Sequence, residues 1–364
     1  MGRLWRVLGC VVALLAGAEA GARLLEWARP ATEDVTFDYA PYRMLRMVSA
    51  PFPLNRDGFR ATEWENYRGK FLVEFLGGSV CLGIGTEAGR PVPDRLEDAL
   101  HAAGMTEAAV INLCQGGTAS AQELAIFLEY GLPLRPQVVI SFNGANDLFH
   151  PQPLGDDPGA NLPYHDREMR ALFAGMHSWS EHLGIKRVSD RLYRRLNEGS
   201  EAMYSKPRGM VAPGTILESY FYTTEVIRAL TEEQHGLYGL ILQPALHYAK
   251  PWSSEEAAMW KQRRPHDAQS ATDYAHGLYA QARTAAAVWS AKSGAPLFDL
   301  TEAFAETPGT IYSDSVHFKG ETGFRILEQE LERRGLIQAI RERYKAWEAG
   351  GTEELPEKVM AWRH

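Results

Sequence analysis

Short, almost continuously apolar runs recur along most of this chain, and amphipathic stretches separate them. Unbroken apolar character over the length of a strand is typical of strands that are buried on both faces of a sheet. The pattern therefore predicts five strands, at residues 71–76, 109–113, 138–142, 238–242 and 296–300.

The stretches between these strands carry helical signals. Leu124, Phe127 and Leu128 follow at helical spacing after a capping box that begins at Ser120. Apolar positions within residues 271–288 form a second stripe, and those within 324–331 form a third. Because strands that alternate with helices favour right-handed crossovers, we predict an α/β protein with a three-layer α/β/α sandwich around a mainly parallel five-stranded sheet.

The same pattern divides the chain. Residues 26–70, rich in Pro, Arg and aromatic residues, form a predicted lead-in segment that wraps the main domain at 71–340. A segment of about 150–233, after the third strand, shows no strand pattern. A loop of this length is usually functional or has its own structure, which favours a helical cap over a site against a peripheral excursion. Residues 341–364 are assigned as a C-terminal tail.

The N-terminus has the layout of a secretory signal peptide. Arg3 and Arg6 precede an apolar run at residues 7–18, and Ala18-Glu19-Ala20 resembles a cleavage site. The run is shorter than the ~20 residues that span a bilayer comfortably. We predict export to the periplasm or the extracellular space, with residues 1–25 either removed as a leader or retained as a membrane anchor.

Charge and cysteine content narrow the class further. A net charge of −8 offers no electrostatic basis for nucleic-acid binding. Only three cysteines occur, which excludes a disulfide scaffold. Cys81 and Cys114 flank the candidate site. Two interpretations stay open for them: a disulfide formed in an oxidising compartment, or two small buried hydrophobic residues, which the residue type favours. The histidines are scattered without metal-ligand spacing, so no metal or other cofactor is expected.

Three polar or flexible positions come just after predicted strands. Ser79 follows the first strand, Gly117 the second and Asn146 the third. Because the carboxyl ends of parallel strands meet at one edge of a sheet, we expect the three residues to lie together there. The glycines around Ser79 also suggest a phosphate-binding loop, but their spacing does not match a dinucleotide or nucleotide motif.

A histidine far downstream supplies the missing base. His317 follows Asp314 by three positions, on a loop after the last strand. A carboxylate there can hold the imidazole, whose other nitrogen then takes a proton from a serine hydroxyl. Backbone N–H groups of Ser79 and Gly117 and the side-chain amide of Asn146 are candidate donors to an oxyanion. We predict Ser79 as nucleophile, His317 as base and Asp314 as the residue that orients the base.

Together these stretches resemble the sequence blocks of the SGNH (GDSL-type) hydrolases, over roughly residues 71–334. The resemblance implies a flavodoxin-like SGNH fold, the same catalytic triad, and an oxyanion hole made by Ser79, Gly117 and Asn146. The blocks are Gly77-Gly78-Ser79, Asn112-Leu113-Cys114-Gln115-Gly116-Gly117, Gly144-Ala145-Asn146-Asp147 and Asp314-Ser315-Val316-His317.

The chain departs from this family at positions outside the catalytic set. Gly78 stands where many members carry Asp, and Cys114 stands where Gly is frequent. The long segment after Asn146 exceeds the minimal fold, so the substrates of small members do not transfer to this chain.

The leading hypothesis is an exported serine esterase or lipase that hydrolyses O-acyl esters, O-acetyl esters of carbohydrates among them, through an acyl-enzyme. A sugar hydroxyl in place of water would instead make it a polysaccharide O-acetyltransferase that uses the same triad. A third hypothesis is a non-catalytic carbohydrate-binding protein of the cell envelope.

Overall fold

The computed structural model describes residues 2–27, 36–40, 42–85, 90–149, 213–263 and 268–350. An N-terminal helix, α1 (Gly2–Trp27), comes first and leaves Trp5, Leu14 and Leu15 largely exposed. Within the described ranges, no helix combines the length and the apolar character that crossing a membrane requires.

The centre of the fold is a five-stranded parallel sheet, as the sequence predicted. In space the strands follow the order β4-β3-β5-β6-β7. They are β3 (Phe71–Gly77), β4 (Ala108–Asn112), β5 (Val138–Asn143), β6 (Leu237–Leu242) and β7 (Leu297–Asp299). Each predicted strand lies within one or two residues of an observed one.

Both faces of the sheet are buried, and the period of the strand explains how. Along β3, Phe71, Val73 and Phe75 pack into one apolar cluster, whereas Leu72 and Leu76 pack into another. Successive strand residues point to opposite faces, so the two clusters lie on the two sides of the sheet. The three-layer α/β/α architecture is therefore confirmed.

The helices form the two outer layers. One layer holds α3 (Val92–Ala102), α9 (Glu321–Arg333) and α10 (Leu336–Gly350), whose buried residues join the cluster of Phe71. The other layer includes α4 (Ser120–Ile126) and α6 (Pro213–Glu233), which join the cluster of Leu72. The remaining helices are α2 (Ser79–Leu82), α5 (Ala145–Phe149), α7 (Ser254–Arg263) and α8 (Ala268–Ser293).

The lead-in segment packs closely on this domain. It forms an antiparallel hairpin of β1 (Thr36–Ala40) and β2 (Met44–Ser49), followed by a turn and a short 3-10 helix (Trp64–Tyr67). Phe59 and Trp64 are buried among residues of the second cluster. The segment therefore shares the hydrophobic core of the main domain.

One predicted boundary, the start of the tail, is wrong. Residues 341–350 were assigned to a tail, but they belong to α10, where Tyr344 is buried with its ring centroid 5.1 Å from that of Phe71. The end of the predicted insertion, residues 213–233, is helix α6, which covers one face of the sheet. The apolar face of each of these two helices packs against residues that are distant in sequence, so local pattern does not show that the helix belongs to the core. The predicted cap at 150–212 lies outside the described residues, as does the rest of the tail.

Candidate active site

The two strands that follow β3 in the chain, β4 and β5, pair with β3 on opposite sides. The candidate site lies at this switch point in the sheet. Ser79 follows β3, while Gly117 and Asn146 follow the strands on either side of it, β4 and β5. In open α/β sheets, the crevice outside the carboxyl ends of the strands at such a switch point is where ligands bind. The structure thus places the three sequence-predicted residues on one edge.

Ser79 is the first residue of the short helix α2, and the turn before it is tightly enclosed. A Cβ atom at Gly77 would collide with the Phe142 carbonyl oxygen, and one at Gly78 would lie 2.5 Å from the Asn146 amide nitrogen. Glycine at both positions lets strand β3 turn directly into the helix. The first N–H groups of a helix have no partner within it, so the turn presents Ser79 beside available donors.

His317 and Asp314 join Ser79 in a continuous hydrogen-bonded chain. His317 Nε2 lies 2.6 Å from Ser79 Oγ, although the two residues are 238 positions apart. His317 Nδ1 lies 2.6 Å from Asp314 Oδ2. Both distances fall at the short end for hydrogen bonds. A base that contacts a hydroxyl on one side and a carboxylate on the other can remove the hydroxyl proton and remain correctly oriented.

The environment of Asp314 keeps it ionised. Its Oδ1 accepts the backbone N–H groups of Val316 and His317, at 2.8 and 2.7 Å. Burial by itself would raise the pKa of Asp314, but the hydrogen bonds and the His317 ring outweigh burial and lower the pKa to about 2. The carboxylate is therefore charged at any pH near neutrality and favours an imidazolium beside it.

A buried ion pair that sequence reasoning missed holds the loop before Asp314. Lys250 Nζ lies 2.8 Å from Glu256 Oε2 and donates to the carbonyl oxygens of Thr307 and Gly309. The other oxygen of Glu256 accepts the backbone N–H groups of two residues further along the same loop, Ile311 and Tyr312. No spacing motif relates Lys250 or Glu256 to His317, so only the folded structure shows this connection.

The segments that carry Gly117 and Asn146 are bonded to each other. Gly117 has a positive φ of 75°, a backbone conformation that favours glycine. The next residue, Thr118, donates through its hydroxyl to the Gly77 carbonyl oxygen at 2.8 Å. The Asn146 side-chain amide donates to the Thr118 carbonyl oxygen at 2.6 Å. An amide group has two N–H bonds, so this contact uses one and leaves one for a ligand.

Asp147 ties the same two segments together from the other side. Its carboxylate accepts both the backbone N–H and the hydroxyl of Ser120, at 3.1 and 2.6 Å. Burial raises the pKa of Asp147 to about 6, and the Ser120 hydrogen bonds limit the rise. The predicted capping role of Ser120 is wrong, because helix α4 begins at Ser120 and the Gln122 side chain accepts the N–H of Ala119 instead.

Behind these loops lies a second buried polar chain. Tyr220 donates its hydroxyl to Asn143 Oδ1 at 2.6 Å, and Asn143 Nδ2 donates to Glu123 at 2.6 Å. Burial raises the pKa of Glu123 well above its usual range, and the nearby Asp147 adds to the rise. Helix α6 thus contacts the end of β5 just before Asn146.

The structure also decides between the two interpretations of the cysteines. Cys81 and Cys114 form a disulfide, with Cα atoms 5.8 Å apart, a separation usual for disulfides. Cys81 lies two positions after Ser79, and Cys114 lies three before Gly117. The bond joins helix α2, which begins with Ser79, to the loop after β4. Free buried cysteines and disulfide-bonded cysteines look alike in sequence. Only the folded structure, which brings the ends of β3 and β4 together, distinguishes them.

Across the described part of the chain, no group of three or more His, Cys, Asp or Glu side chains is arranged to hold a metal ion.

Comparison with known proteins returns remote likenesses. No family model matches this chain, and no curated protein matches it. It is similar to a lipase/acylhydrolase from Enterococcus faecalis, with 17% identity and a TM-score of 0.42 over 72% of this chain and 94% of that one. The acetyl xylan esterase AlAXEase shares 16% identity at a TM-score of 0.41, over 72% of this chain and 98% of that one.

A third solved structure is similar to the same degree. A GDSL-like lipase from Bacteroides thetaiotaomicron shares 14% identity at a TM-score of 0.39, over 76% of this chain and 91% of that one. At this distance the likenesses do not bear on the reaction.

Proposed function

We propose that this protein is a serine hydrolase of the SGNH type that cleaves O-acyl esters through an acyl-enzyme. The observation that carries the proposal is the hydrogen-bonded chain from Ser79 through His317 to Asp314, with both links at 2.6 Å. A structural histidine has no need of a serine hydroxyl on one nitrogen and an ionised carboxylate on the other. A nucleophile needs both.

In the first step, Ser79 Oγ attacks the ester carbonyl carbon while His317 Nε2 takes the hydroxyl proton. A C–O bond forms, and the carbonyl oxygen acquires the negative charge. The imidazolium then gives its proton to the leaving alcohol as the ester C–O bond breaks. Asp314, ionised because its pKa is about 2, stabilises the positive ring throughout.

The developing oxyanion is stabilised by donors on three loops. Those donors are the backbone N–H groups of Ser79 and Gly117 and the second N–H of the Asn146 amide. Each loop follows a different strand of the sheet, so the donors are held in place before the substrate arrives. Loss of one such donor typically costs ~3 kcal/mol of transition-state stabilisation.

Water completes the cycle. It attacks the acyl-enzyme carbonyl carbon while His317 takes its proton. His317 then gives that proton to Ser79 Oγ as the Ser79 ester bond breaks, which releases the carboxylic acid and restores the enzyme. Every proton moves between His317 and the reacting oxygens, and the reaction uses no cofactor. We include O-acetyl esters of carbohydrates among the substrates to be screened.

We also propose that the chain works outside the cytoplasm. The Cys81–Cys114 disulfide supports this, because such bonds persist chiefly in oxidising compartments. The basic-then-apolar N-terminus supports it independently. Cell fractionation with N-terminal mass analysis tests the proposal. Full-length or shortened chain in the envelope or medium supports export, and a cytoplasmic chain with free thiols would refute it.

The test of the catalytic proposal is intact-mass analysis after exposure to a fluorophosphonate probe. We expect one adduct that maps to Ser79, no adduct on a folded Ser79→Ala variant, and hydrolysis of short-chain p-nitrophenyl esters that the same substitution abolishes. His317→Ala should suppress both labelling and turnover. Ester turnover that survives in purified Ser79→Ala would refute Ser79 as the nucleophile.

A further inference from the structure

We propose that the lead-in segment positions the oxyanion loop, through a buried hydrogen bond from Gln115 to Gly58. The inference rests on the proposed function and names a part of the site that the triad does not include. Gln115 Nε2 donates to the Gly58 carbonyl oxygen at 3.0 Å, and Gln115 is fully buried. Gln115 lies two positions before Gly117, so the bond acts on the loop that carries an oxyanion donor.

The accepting turn is held rigidly. Asn55 Oδ1 accepts the backbone N–H groups of Asp57 and Phe59, and the Asn55 carbonyl oxygen accepts that of Gly58. Gly58 has a φ of +81°, and a Cβ atom there would collide with the Met47 carbonyl oxygen of the hairpin. The Gly58 carbonyl group therefore has one well-defined direction.

Two further contacts connect the lead-in segment with the same edge of the sheet. The Phe37 ring lies against Gly116, where an added Cβ would approach the ring to 2.9 Å. Arg60 Nη1 donates to the carbonyl oxygen of Leu82 at 3.3 Å. Leu82 is the last residue of the helix that begins with Ser79. The segment thus contacts both the oxyanion loop and helix α2.

These contacts matter because they hold the oxyanion loop from a different side than the main domain does. The main domain anchors this loop through the Cys81–Cys114 disulfide, through the Asn146 amide bonded to the Thr118 carbonyl oxygen, and through hydrogen bonds to β3. The Gln115 backbone N–H donates to the Gly77 carbonyl oxygen at 3.0 Å, and the Thr118 hydroxyl also reaches Gly77. Both of these hydrogen bonds fix the loop to β3. On the side away from β3, the lead-in segment contacts Gln115 and Gly116. Gln115 does not contact a reacting atom in this arrangement, so it is a positioning residue.

The experiment replaces the donor with a side chain of similar shape. Gln115→Met removes the hydrogen bond to Gly58 and keeps most of the volume. Because small displacements of catalytic groups cost up to ~100-fold in rate, we expect kcat for a p-nitrophenyl ester to fall roughly tenfold. KM should change little, and the rate of fluorophosphonate labelling at Ser79 should fall by a similar factor.

Gln137→Met is the matched control. The Gln137 side chain also bonds the backbone, accepting the Leu72 N–H at 2.7 Å, but it does so at the opposite end of β3. The control should lower thermal stability and leave kcat within about twofold of wild type. A merely structural role for Gln115 predicts that the two variants behave alike.

Phe37→Leu is a second variant. Phe37 lies half-buried on the β1–β2 hairpin, so this variant can test the inference if Gln115→Met does not fold. It shortens the side chain that lies against Gly116, and we expect kcat to fall severalfold with KM retained. Wild-type kcat and labelling rate in a folded Gln115→Met protein, or in Phe37→Leu if that alone folds, would overturn the inference and leave the proposed function intact. Failure of wild type itself to label at Ser79 would overturn both.

Discussion

At the scale of single residues, the contrast between two aspartates is informative. Asp314 and Asp147 both lie close to the site and both accept a backbone N–H group. Asp314 also faces the His317 ring, and its pKa is lowered to about 2, whereas burial without a cationic partner raises the pKa of Asp147 to about 6. The same residue type is therefore suited to stabilise a positive charge in one place and to brace loops in the other.

Asp314→Asn should reduce kcat by ~10³–10⁴-fold with the fold retained. The asparagine oxygen can still accept the N–H groups of Val316 and His317, so its amide nitrogen would face the imidazole. His317 would then present an N–H to Ser79 and could not accept its proton. Steady-state ester hydrolysis measures the loss.

The control for this variant is Asp98→Asn, which changes an exposed aspartate that pairs with Arg90 on the surface. Circular dichroism should show both variants folded. An Asp314→Asn enzyme within tenfold of wild type would mean that the carboxylate does not orient the base.

At the scale of elements, the site is assembled from loops that distant parts of the chain hold in place. The Lys250–Glu256 pair anchors the loop before Asp314, and the Cys81–Cys114 disulfide joins helix α2 to the loop after β4. Each connection ends two positions from a residue of the proposed triad, at Cys81 after Ser79 and at Tyr312 before Asp314. The positions of the loops at the strand ends thus depend on the ion pair and the disulfide, which lie outside the proposed triad.

The disulfide should contribute measurably to stability. Replacing both residues in Cys81→Ala/Cys114→Ala opens a loop of 33 residues, and loop entropy predicts a loss on the order of 3–4 kcal/mol in the free energy of unfolding. Urea denaturation of the oxidised wild type and the double variant measures the difference.

Wild-type protein unfolded and refolded under reducing conditions is the control, and it should resemble the double variant. Equal urea midpoints for the oxidised wild type and the variant would show that the bond does not constrain the unfolded chain. Free-thiol titration of unfolded wild type checks that the bond was present.

At the scale of the whole molecule, stability should depend on pH through Asp147. The pKa of Asp147 is about 6 in the folded protein and 3.8 for an aspartate in the unfolded chain. Between these two pH values the native state therefore holds a proton that the unfolded chain has released. Stability then falls as pH rises through this window, by on the order of 2–3 kcal/mol. Asp147→Asn should remove this fall.

Urea unfolding of wild type and Asp147→Asn at pH 4, 5, 6 and 7 provides the measurement. The difference between the two free energies reports Asp147 together with its effect on Glu123, whose pKa the Asp147 charge helps to raise. Parallel curves across the window would contradict the raised pKa of this carboxyl group.

Much of this molecule was predictable from local pattern. Continuous apolar runs predicted the five strands of the parallel sheet, because a strand buried on both faces needs no polar positions, but they did not predict the β1–β2 hairpin. Ser79, Gly117 and Asn146 each follow a strand, and parallel topology brings such positions to one edge. The pairing of Asp314 with His317 needs only three residues of chain, so its geometry is local as well.

Other features required the folded chain. The predicted start of the tail was wrong because Tyr344 of α10 packs against Phe71, which lies near the other end of the domain in sequence. The sequence left the disulfide open because two buried cysteines look alike whether they are bonded or free. The bond from Gln115 to Gly58 crosses 57 positions and left no periodic signal in either segment.

The sequence by itself determined which residues could form strands, which loops carry a hydroxyl, an amide or an imidazole, and which edge of the sheet they share. These properties follow from side-chain period and short-range spacing. Tertiary structure alone decided that His317 Nε2 lies 2.6 Å from Ser79 Oγ, and which distant groups hold the two loops in register. Contacts between segments far apart depend on packing of the whole core, which no local pattern encodes.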